Sequence, residues 1–378
     1  MQIIPIASGK GGVGKSLLSA NLAVTLGKAG KQVVLVDLDL GASNTHLALG
    51  VQSPKAGLGT FLTGQSAFED ILLETDYENV YFIPGDSEIP GLSSLKASKK
   101  NQLIKKLHSL DVDYLILDLG AGTHLSILDF FLLSPQGIIV SAPTVTATLN
   151  AYLFLKNAVF RLMQNSFKKG TVAAKILDEL KKDTDSLKRL YIPKLIEKIR
   201  SLDPESAAIF DTQMSEFTPR LVMNMIDSPE DADKALKIRR SCREYLGIDL
   251  EFLGVIYRDS TQDVALSSRL PVTVYKPQSV ASQAIVRIAD KILISETKEF
   301  SKAYYSTDDT YQSASSDALE DYESKMSYIE DLLGTGALSM SDLAETIKSQ
   351  QYEITQLRKE NLLYKTKLVK AVEQGFKI

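Results

Sequence analysis

A glycine-rich stretch near the start of the chain carries the residue types that bind phosphate groups. Residues 8–16 read SGKGGVGKS and fit the pattern G-x-x-x-x-G-K-[ST]. Because glycines lack a Cβ, successive backbone N–H groups can turn toward phosphate oxygens. The lysine that ends such a loop reaches the β- and γ-phosphates of a nucleotide, and the hydroxyl after it binds Mg²⁺. The predicted nucleotide-binding residues are Gly9, Gly11, Gly12, Val13, Gly14, Lys15, Ser16 and Leu17.

This loop lies between an apolar run, IIPIA, and a helical pattern, LLSANLAVTLGKAG. The dipole of that helix would face the same phosphates. Further apolar runs without alternation follow, and they are typical of strands buried on both faces. With the helical stretches between them, they predict a doubly wound, mostly parallel α/β sheet of about eight strands. The runs lie at residues 3–7, 33–37, 80–85, 114–118, 137–142, 221–225, 252–257 and 272–275.

A second lysine, Lys10, lies inside the loop and departs from the ordinary pattern. It cannot easily fold back on phosphates that its own loop surrounds, but it can reach the phosphates of a second subunit. With this lysine, KGGVGKS resembles the deviant Walker A signature of the MinD/ParA superfamily of ATPases. The resemblance implies ATP and Mg²⁺ as cofactors, and a homodimer that holds ATP at its interface.

Two other strand ends resemble the switch segments of that superfamily. In VVLVDLDLGASN, the resemblance implies that Asp39 orients the attacking water and that Asp37 lies close to Mg²⁺. A carboxylate is expected there, because the ligand crevice opens at the carboxyl ends of parallel strands. YLILDLGAGT resembles a Walker B strand, in which Asp118 would hold a water of Mg²⁺. Gly120 and Gly122 would let the second switch move when the γ-phosphate leaves.

The base-binding segments also resemble this superfamily. PRLVMNM places Asn224 at a strand end, where the family reads adenine with an asparagine amide. In GVIYRD, Asp259 is retained, while Tyr257 replaces the usual proline. The resemblance covers about residues 1–165 and 218–295. Within it, APTVTATLNAYLFLK looks most like the FlhG/FleN group, which are MinD-like regulators of flagellar number and placement.

The composition excludes several classes of protein. The chain has 378 residues, 44% hydrophobic content and a formal net charge of −4, which is ordinary for a globular protein. Its one cysteine, Cys242, has no CxxC partner, which excludes the iron–sulfur branch of the superfamily. Without an apolar run of about 20 residues or a signal-peptide pattern, we expect a cytoplasmic protein. Peripheral association at the membrane, a cell pole or the nucleoid remains an open alternative.

The chain divides by composition near residue 300. We expect an ATPase domain at 1–300, with a Lys-rich helical insertion at about 165–217. Residues 301–317 are rich in Ser, Thr, Asp and Tyr and contain no Leu, Ile or Val, which predicts a flexible linker. Residues 318–378 are predicted to form a helical tail.

The tail contains a heptad pattern over about residues 340–372. Its a positions hold Met340, Ile347, Ile354, Asn361 and Leu368. Its d positions hold Leu343, Gln350, Leu357, Tyr364 and Ala371. A lone asparagine at a selects a parallel two-stranded register. The pattern favours a coiled coil for self-association or for a partner protein, and a single amphipathic helix packed on the main domain is the alternative.

A basic helix, KALKIRRSCREY, is predicted before the strand at 252–257. Its cations are Lys234, Lys237, Arg239, Arg240 and Arg243. In a body without net charge, such a helix is first a solvated face. A surface for nonspecific DNA or for a partner is the alternative, and neither DNA nor membrane association follows from the sequence.

The expected function is an ATP-dependent dimerisation switch that positions a flagellum or pole, a chromosome or a division site. Its hydrolysis would be slow until a partner stimulates it, with Lys10, Lys15 and Asp39 as catalytic residues. A P-loop tyrosine kinase is an alternative, suggested by Tyr304, Tyr305, Tyr311, Tyr322 and Tyr328. An ATP-dependent synthetase is another. A nucleotide-binding scaffold that acts through its coiled coil is the last.

Overall fold

The structure is a computed structural model of the chain. It describes residues 1–39, 44–52, 56–85, 97–182, 191–296, 306–334 and 348. Two compact units are present, Met1–Tyr322 and Glu323–Ile378. The coiled-coil residues Ile347, Ile354, Leu357, Asn361 and Leu368 lie outside the described residues.

An eight-stranded sheet forms the centre of the first unit, in the order β3-β4-β2-β5-β1-β6-β7-β8. All neighbouring strands are parallel except β3 and β4. This confirms the predicted fold class. The strands are β1 Gln2–Ala7, β2 Val33–Leu38, β3 Leu73–Glu74, β4 Val80–Ile83, β5 Tyr114–Leu119, β6 Ile138–Ser141, β7 Arg220–Ile226 and β8 Glu251–Tyr257.

Helices cover both faces of this sheet. Along β5, Leu115 and Leu117 pack into one hydrophobic core and Ile116 packs into the other, so the strand is apolar on both faces. The described helices are α1 Lys15–Lys28, α2 Thr45–Leu49, α3 Leu58–Thr63, α4 Ala97–His108, α5 Leu125–Phe131, α6 Val145–Ser166, α7 Val172–Lys182, α8 Ile192–Leu202, α9 Pro204–Glu216, α10 Asp233–Ser241, α11 Thr261–Ser267, α12 Val272–Tyr275, α13 Val280–Glu296 and α14 Thr307–Gly334. Helices α7, α8 and α9 lie in the predicted insertion at 165–217.

The apolar run at 272–275 is a helix, α12, and its prediction as a strand is wrong. The N–H and the hydroxyl of Thr273 both donate to Asn21 Oδ1 on α1, and the N–H groups of Val274 and Tyr275 donate to the Pro271 carbonyl, so these amides do not bond to a neighbouring strand. A four-residue apolar run does not by itself distinguish a strand from a buried helix. The eighth strand is the two-residue β3, which the sequence did not indicate.

The predicted linker at 301–317 is wrong for residues 307–317, because α14 begins at Thr307. Ser306 and Asp309 cap the helix reciprocally. The N–H of Ser306 donates to Asp309 Oδ2 at 2.8 Å, and the N–H of Asp309 donates to Ser306 Oγ at 3.3 Å. Polar residues that resembled a linker thus form a capping box, which is a helix-start signal.

Tyr311 holds the start of α14 against the sheet. Its ring is 5% exposed and lies 5.1 Å from the Phe252 ring, between centroids. The guanidinium of Arg239 stacks 4.6 Å from the Tyr311 ring centroid and forms an ion pair with Asp308 at 2.6 Å. Burial raises the pKa of the Tyr311 phenol, which therefore stays neutral.

Replacing Tyr311 by alanine tests whether this segment is docked. We expect Tyr311→Ala to lower the free energy of unfolding by about 3 kcal/mol, because a large buried ring is removed. The neighbouring exposed residue provides a control, and Gln312→Ala should stay within about 0.5 kcal/mol of wild type. Urea denaturation measures both, and equal effects would restore the linker interpretation.

Candidate nucleotide-binding site

The glycine-rich loop joins the central strand β1 to α1 in a backbone conformation that requires glycine. Gly12 and Gly14 have φ angles of 79° and 84°, in the left-handed region. Gly9 lies against helix α6, where a Cβ would come within 2.1 Å of the Asn150 carbonyl oxygen. The sequence motif is therefore in the strand–loop–helix context that a phosphate-binding loop needs.

Asn224 supports this loop from the end of β7. Its side-chain amide is buried and donates to the Val13 carbonyl at 2.8 Å. A Cβ on Gly14 would lie 2.1 Å from the same amide nitrogen, so the two residues are in close contact. The Asn224 oxygen accepts from the N–H of Met225, a residue with a φ angle of 60°. In this structure Asn224 positions the loop, and its role toward adenine stays a prediction.

Two buried carboxylates lie side by side at the carboxyl ends of the central strands. Asp37 on β2 is in register with Asp118 on β5, and both are fully buried. The Lys15 ammonium binds Asp118 Oδ1 at 2.6 Å, and Lys15 is itself 7% exposed. The Ser19 hydroxyl donates to the same oxygen at 3.1 Å, and the Thr45 hydroxyl donates to Asp118 Oδ2. A buried charge of this kind needs such partners, because its desolvation is costly.

Asp39 lies just beyond these carboxylates and is partly exposed. Its N–H donates to Asp37 Oδ1 at 3.0 Å, which fixes the backbone at the end of β2. Its carboxylate borders the second switch, since a Cβ on Gly120 would lie 3.3 Å from Asp39 Oδ1. Gly122, with a φ angle of 100°, donates its N–H to the Ser8 carbonyl at 3.2 Å. Both predicted switches therefore meet the loop at one crevice.

The oxygen donors of this crevice fit a magnesium ion that arrives with a nucleotide. The Ser16 hydroxyl lies 3.4 Å from the Lys15 ammonium, which in turn binds the Asp118 carboxylate at 2.6 Å. A hydroxyl and carboxylates acting through water are donors that Mg²⁺ accepts, with nucleotide phosphates as its other ligands. Within the described residues, no group of three or more His, Cys, Asp or Glu side chains could hold a metal by itself.

Lys10 lies apart from this buried group. Its side chain is exposed, and its ammonium lies 3.4 Å from the Thr146 hydroxyl on α6. The Lys10 carbonyl accepts from the Ser8 hydroxyl at 2.9 Å, which orders the loop backbone. Of the two lysines of the motif, Lys15 is thus buried and Lys10 lies at the surface.

The other base-binding candidates have structural partners. Asp259 accepts from the N–H of Thr261 at 2.8 Å and so starts helix α11. The Tyr257 hydroxyl donates to the Ala318 carbonyl on α14 at 2.8 Å. Sequence reasoning missed Ser19 and Thr45 as partners of Asp118. Ser19 could have been found one helical turn after Lys15, whereas no pattern marks Thr45.

A family model described as the CobQ/CobB/MinD/ParA nucleotide binding domain matches residues 4–351. The chain belongs to this family. Within its described residues, no helix is long and apolar enough to cross a membrane.

Relatives of this family member include proteins named for flagella and for the septum. It is 25% identical to the antiactivator FleN of Pseudomonas aeruginosa, over 77% of this chain and 86% of FleN. It is 35% identical to the flagellum site-determining protein YlxH of Helicobacter pylori, over 41% of this chain and 53% of YlxH. The solved structure of the septum site-determining protein MinD from Pyrococcus horikoshii, complexed with Mg-ADP, matches 80% of this chain and 99% of its own, with 24% identity and a TM-score of 0.53. That structural likeness confirms the fold.

Asn224→Ala distinguishes a loop-positioning role from adenine recognition. Because the amide bonds to Val13, we expect the affinities for ATP and for inorganic tripolyphosphate to fall together, by about tenfold. Isothermal titration calorimetry measures both ligands. If only the ATP affinity falls, Asn224 acts on the base and not through the loop.

Proposed function

We propose that this family member is an ATPase that works as an ATP-dependent dimerisation switch and positions a cellular structure. The observation that carries this proposal is the separation of the two loop lysines. Lys15 lies buried against Asp118 inside the site, while Lys10 lies exposed beside α6. One lysine can neutralise phosphates within its own subunit, and the other is available to a second subunit.

The buried group would bind the nucleotide and its metal. Lys15 would exchange Asp118 for the β- and γ-phosphates, and the Ser16 hydroxyl would take a place on Mg²⁺. That ion would neutralise phosphate charge, while Asp37 and Asp118 would hold its waters. Mg-ADP in the MinD relative from Pyrococcus horikoshii supports this choice of base and metal. Asn224 and Asp259 would lie on the adenine side.

Asp39 would orient the attacking water. The residue is partly exposed at the crevice, and its N–H donates to Asp37, so its backbone is held in place. A carboxylate in that place can accept a proton from water within hydrogen-bond reach. Gly120 would move away from Asp39 when the γ-phosphate leaves, and this movement would weaken the dimer.

The surface beside Lys10 is suited to a second copy. Val145, Leu149 and Leu153 lie four residues apart on α6 and are 83%, 55% and 36% exposed. Residues at this spacing share one helix face. This α6 stripe begins next to Thr146, which contacts Lys10. Exposed apolar stripes of this kind mark interaction surfaces.

The positioned structure is proposed from the relatives. FleN is named an antiactivator, YlxH a flagellum site-determining protein, and MinD a septum site-determining protein. We favour a flagellum or cell pole, with a division site or chromosome as the other members of this class. Slow hydrolysis that a partner stimulates belongs to the same proposal, as does self-association through the tail.

DNA binding through the basic helix receives less support. Within α10 and the turn after it, Arg239 is 8% exposed and bound to Asp249 and Asp308. Lys234 forms an ion pair with Asp231 at 2.6 Å. Two of the five cations thus already have acidic partners, and this favours a structural role over a phosphate-binding surface.

The tyrosine-kinase alternative is also weakened. Tyr311, one of its candidate acceptors, is buried on the docked face of α14, against Phe252 of β8, and this disfavours it as a phosphate acceptor. Tyr322 and Tyr328 remain exposed. Incubation of the pure protein with ATP, followed by phosphotyrosine detection, tests that alternative. ATP turnover without an added acceptor would count against a synthetase.

Variants of Lys15 and Asp39 test the switch. Lys15→Ala should abolish ATP binding, because the phosphates lose their cation within the subunit. Asp39→Ala should keep ATP binding, lower hydrolysis at least about a hundredfold, and hold the ATP-bound dimer. Titration calorimetry, phosphate release and the ATP-dependent rise in sedimentation coefficient measure these properties. Asp39→Ala turning over at the wild-type rate would show that another group orients the water.

Variants at the surface test the dimer interface separately. Lys10→Ala and Leu149→Glu should each abolish the ATP-dependent rise in sedimentation coefficient and leave the ATP affinity within about threefold of wild type. Leu202→Glu, at another exposed leucine with 54% exposure on α8, is the control. If Lys10→Ala retains both the rise and hydrolysis, Lys10 does not act across subunits.

A further inference from the structure

Helix α14 also exposes apolar side chains along the border of the face docked on the sheet, where the Tyr322 ring lies 6.4 Å from the Tyr257 ring, between centroids. Leu319, Tyr322 and Met326 are 55%, 36% and 37% exposed and follow one another by three and four residues. Tyr311, Ala314 and Ala318, on the docked face, are buried. The three exposed positions form what we call the α14 stripe. Spacings of three and four residues are those of a coiled-coil seam.

The α14 stripe is in phase with the heptads of the C-terminal segment. Leu319 and Met326 are followed at seven-residue steps by Leu333 and Met340, and then by the a positions of the predicted coiled coil. Tyr322 falls in the same series as the d positions, through Ile329. This phase persists in the sequence across Gly334 and Gly336. An unrelated helix would share the register in only about one case in seven, because a heptad has seven possible phases.

The flanking charges select a parallel arrangement of two identical chains. In a parallel pair, a g residue lies opposite the e residue of the next heptad in the partner, and opposite charges there fix orientation. In this register Lys325 would face Glu330 of a second copy. Two further pairs, Glu353 with Arg358 and Glu360 with Lys365, recur later in the sequence with opposite charges. Asn361 at an a position selects the same arrangement.

We propose that the α14 stripe begins the seam of a parallel, in-register coiled coil between two copies of this chain. This association needs no nucleotide, and it rests on the self-association through the tail that belongs to the proposed function, for which it names the register and the starting point. The seam begins where α14 is anchored, since the Tyr257 hydroxyl bonds to Ala318 and Lys291 pairs with Asp317 at 2.7 Å. Arg287 adds an ion pair with Asp321. The two ATPase domains would therefore be joined close to their β8 strands.

Cysteine cross-linking in the full chain tests the register. In a parallel seam Met326 faces its own copy, so Met326→Cys should give a covalent dimer with a short bis-maleimide. Ser324→Cys, exposed on the same helix but at an f position, should give little. The native Cys242 is buried and should stay unreactive. These reactions are run without nucleotide in a Lys10→Ala background, which separates them from an ATP-dependent dimer.

A charge exchange provides a second measurement. Lys325→Glu would place like charges opposite each other twice per dimer and should weaken the nucleotide-free dimer by roughly tenfold. Adding Glu330→Lys should restore wild-type affinity, whereas Ser327→Glu, off the seam, should leave it unchanged. Sedimentation equilibrium measures the mass. A monomeric nucleotide-free chain, equal cross-linking at positions 324 and 326, or no rescue would each overturn the proposal.

Discussion

The buried ion pair between Lys15 and Asp118 is the interaction on which the site depends. Asp37 and Asp118 lie side by side within the sheet, and two buried carboxylates need a cation and hydrogen bonds to remain charged. Lys15 supplies the cation, and Ser19 and Thr45 supply hydroxyls. The phosphate-binding loop, β2, β5 and α2 are thereby joined at one point. In the proposed cycle, phosphates that draw Lys15 away leave Asp118 to a metal ion, which couples nucleotide and metal binding.

Some of the residues that form the candidate site could be predicted from the sequence. The glycine-rich loop, its flanking strand and helix, and the strand-end aspartates follow local patterns, because each pattern lies within one element and its turn. The contacts of Thr45 and Asn224 do not follow from a local pattern. Thr45 reaches Asp118 from a short helix, and Asn224 reaches Val13 from a strand more than 200 residues later. Such contacts depend on strand order, which local periodicity does not contain.

The prediction of secondary structure was limited in the same way for the segments at 272–275 and 307–317. The buried runs of β2 and β5 were predicted because both faces are apolar. The strand prediction at 272–275 was wrong. The N–H of Thr273 donates to Asn21 on α1, which is a tertiary contact that the local pattern does not contain. The linker prediction was wrong for residues 307–317 because Ser, Thr and Asp are common both in linkers and at helix starts. The reciprocal hydrogen bonds of Ser306 and Asp309 decide between these in the structure.

The docking of α14 has a consequence for how this domain can be handled. Strand β8 is the last strand of the sheet, and an open edge offers backbone groups to which another chain can add a strand. Here the N–H of Phe252 donates to the Thr310 hydroxyl oxygen, and the Leu253 carbonyl accepts from the Lys291 ammonium. Thr310, in the polar segment after residue 305, and Lys291 on α13 thus occupy backbone groups at this edge, which reduces its capacity to pair with another chain. A domain cut at residue 300 would keep every predicted nucleotide-binding residue and leave the Phe252 N–H at this edge without its Thr310 partner.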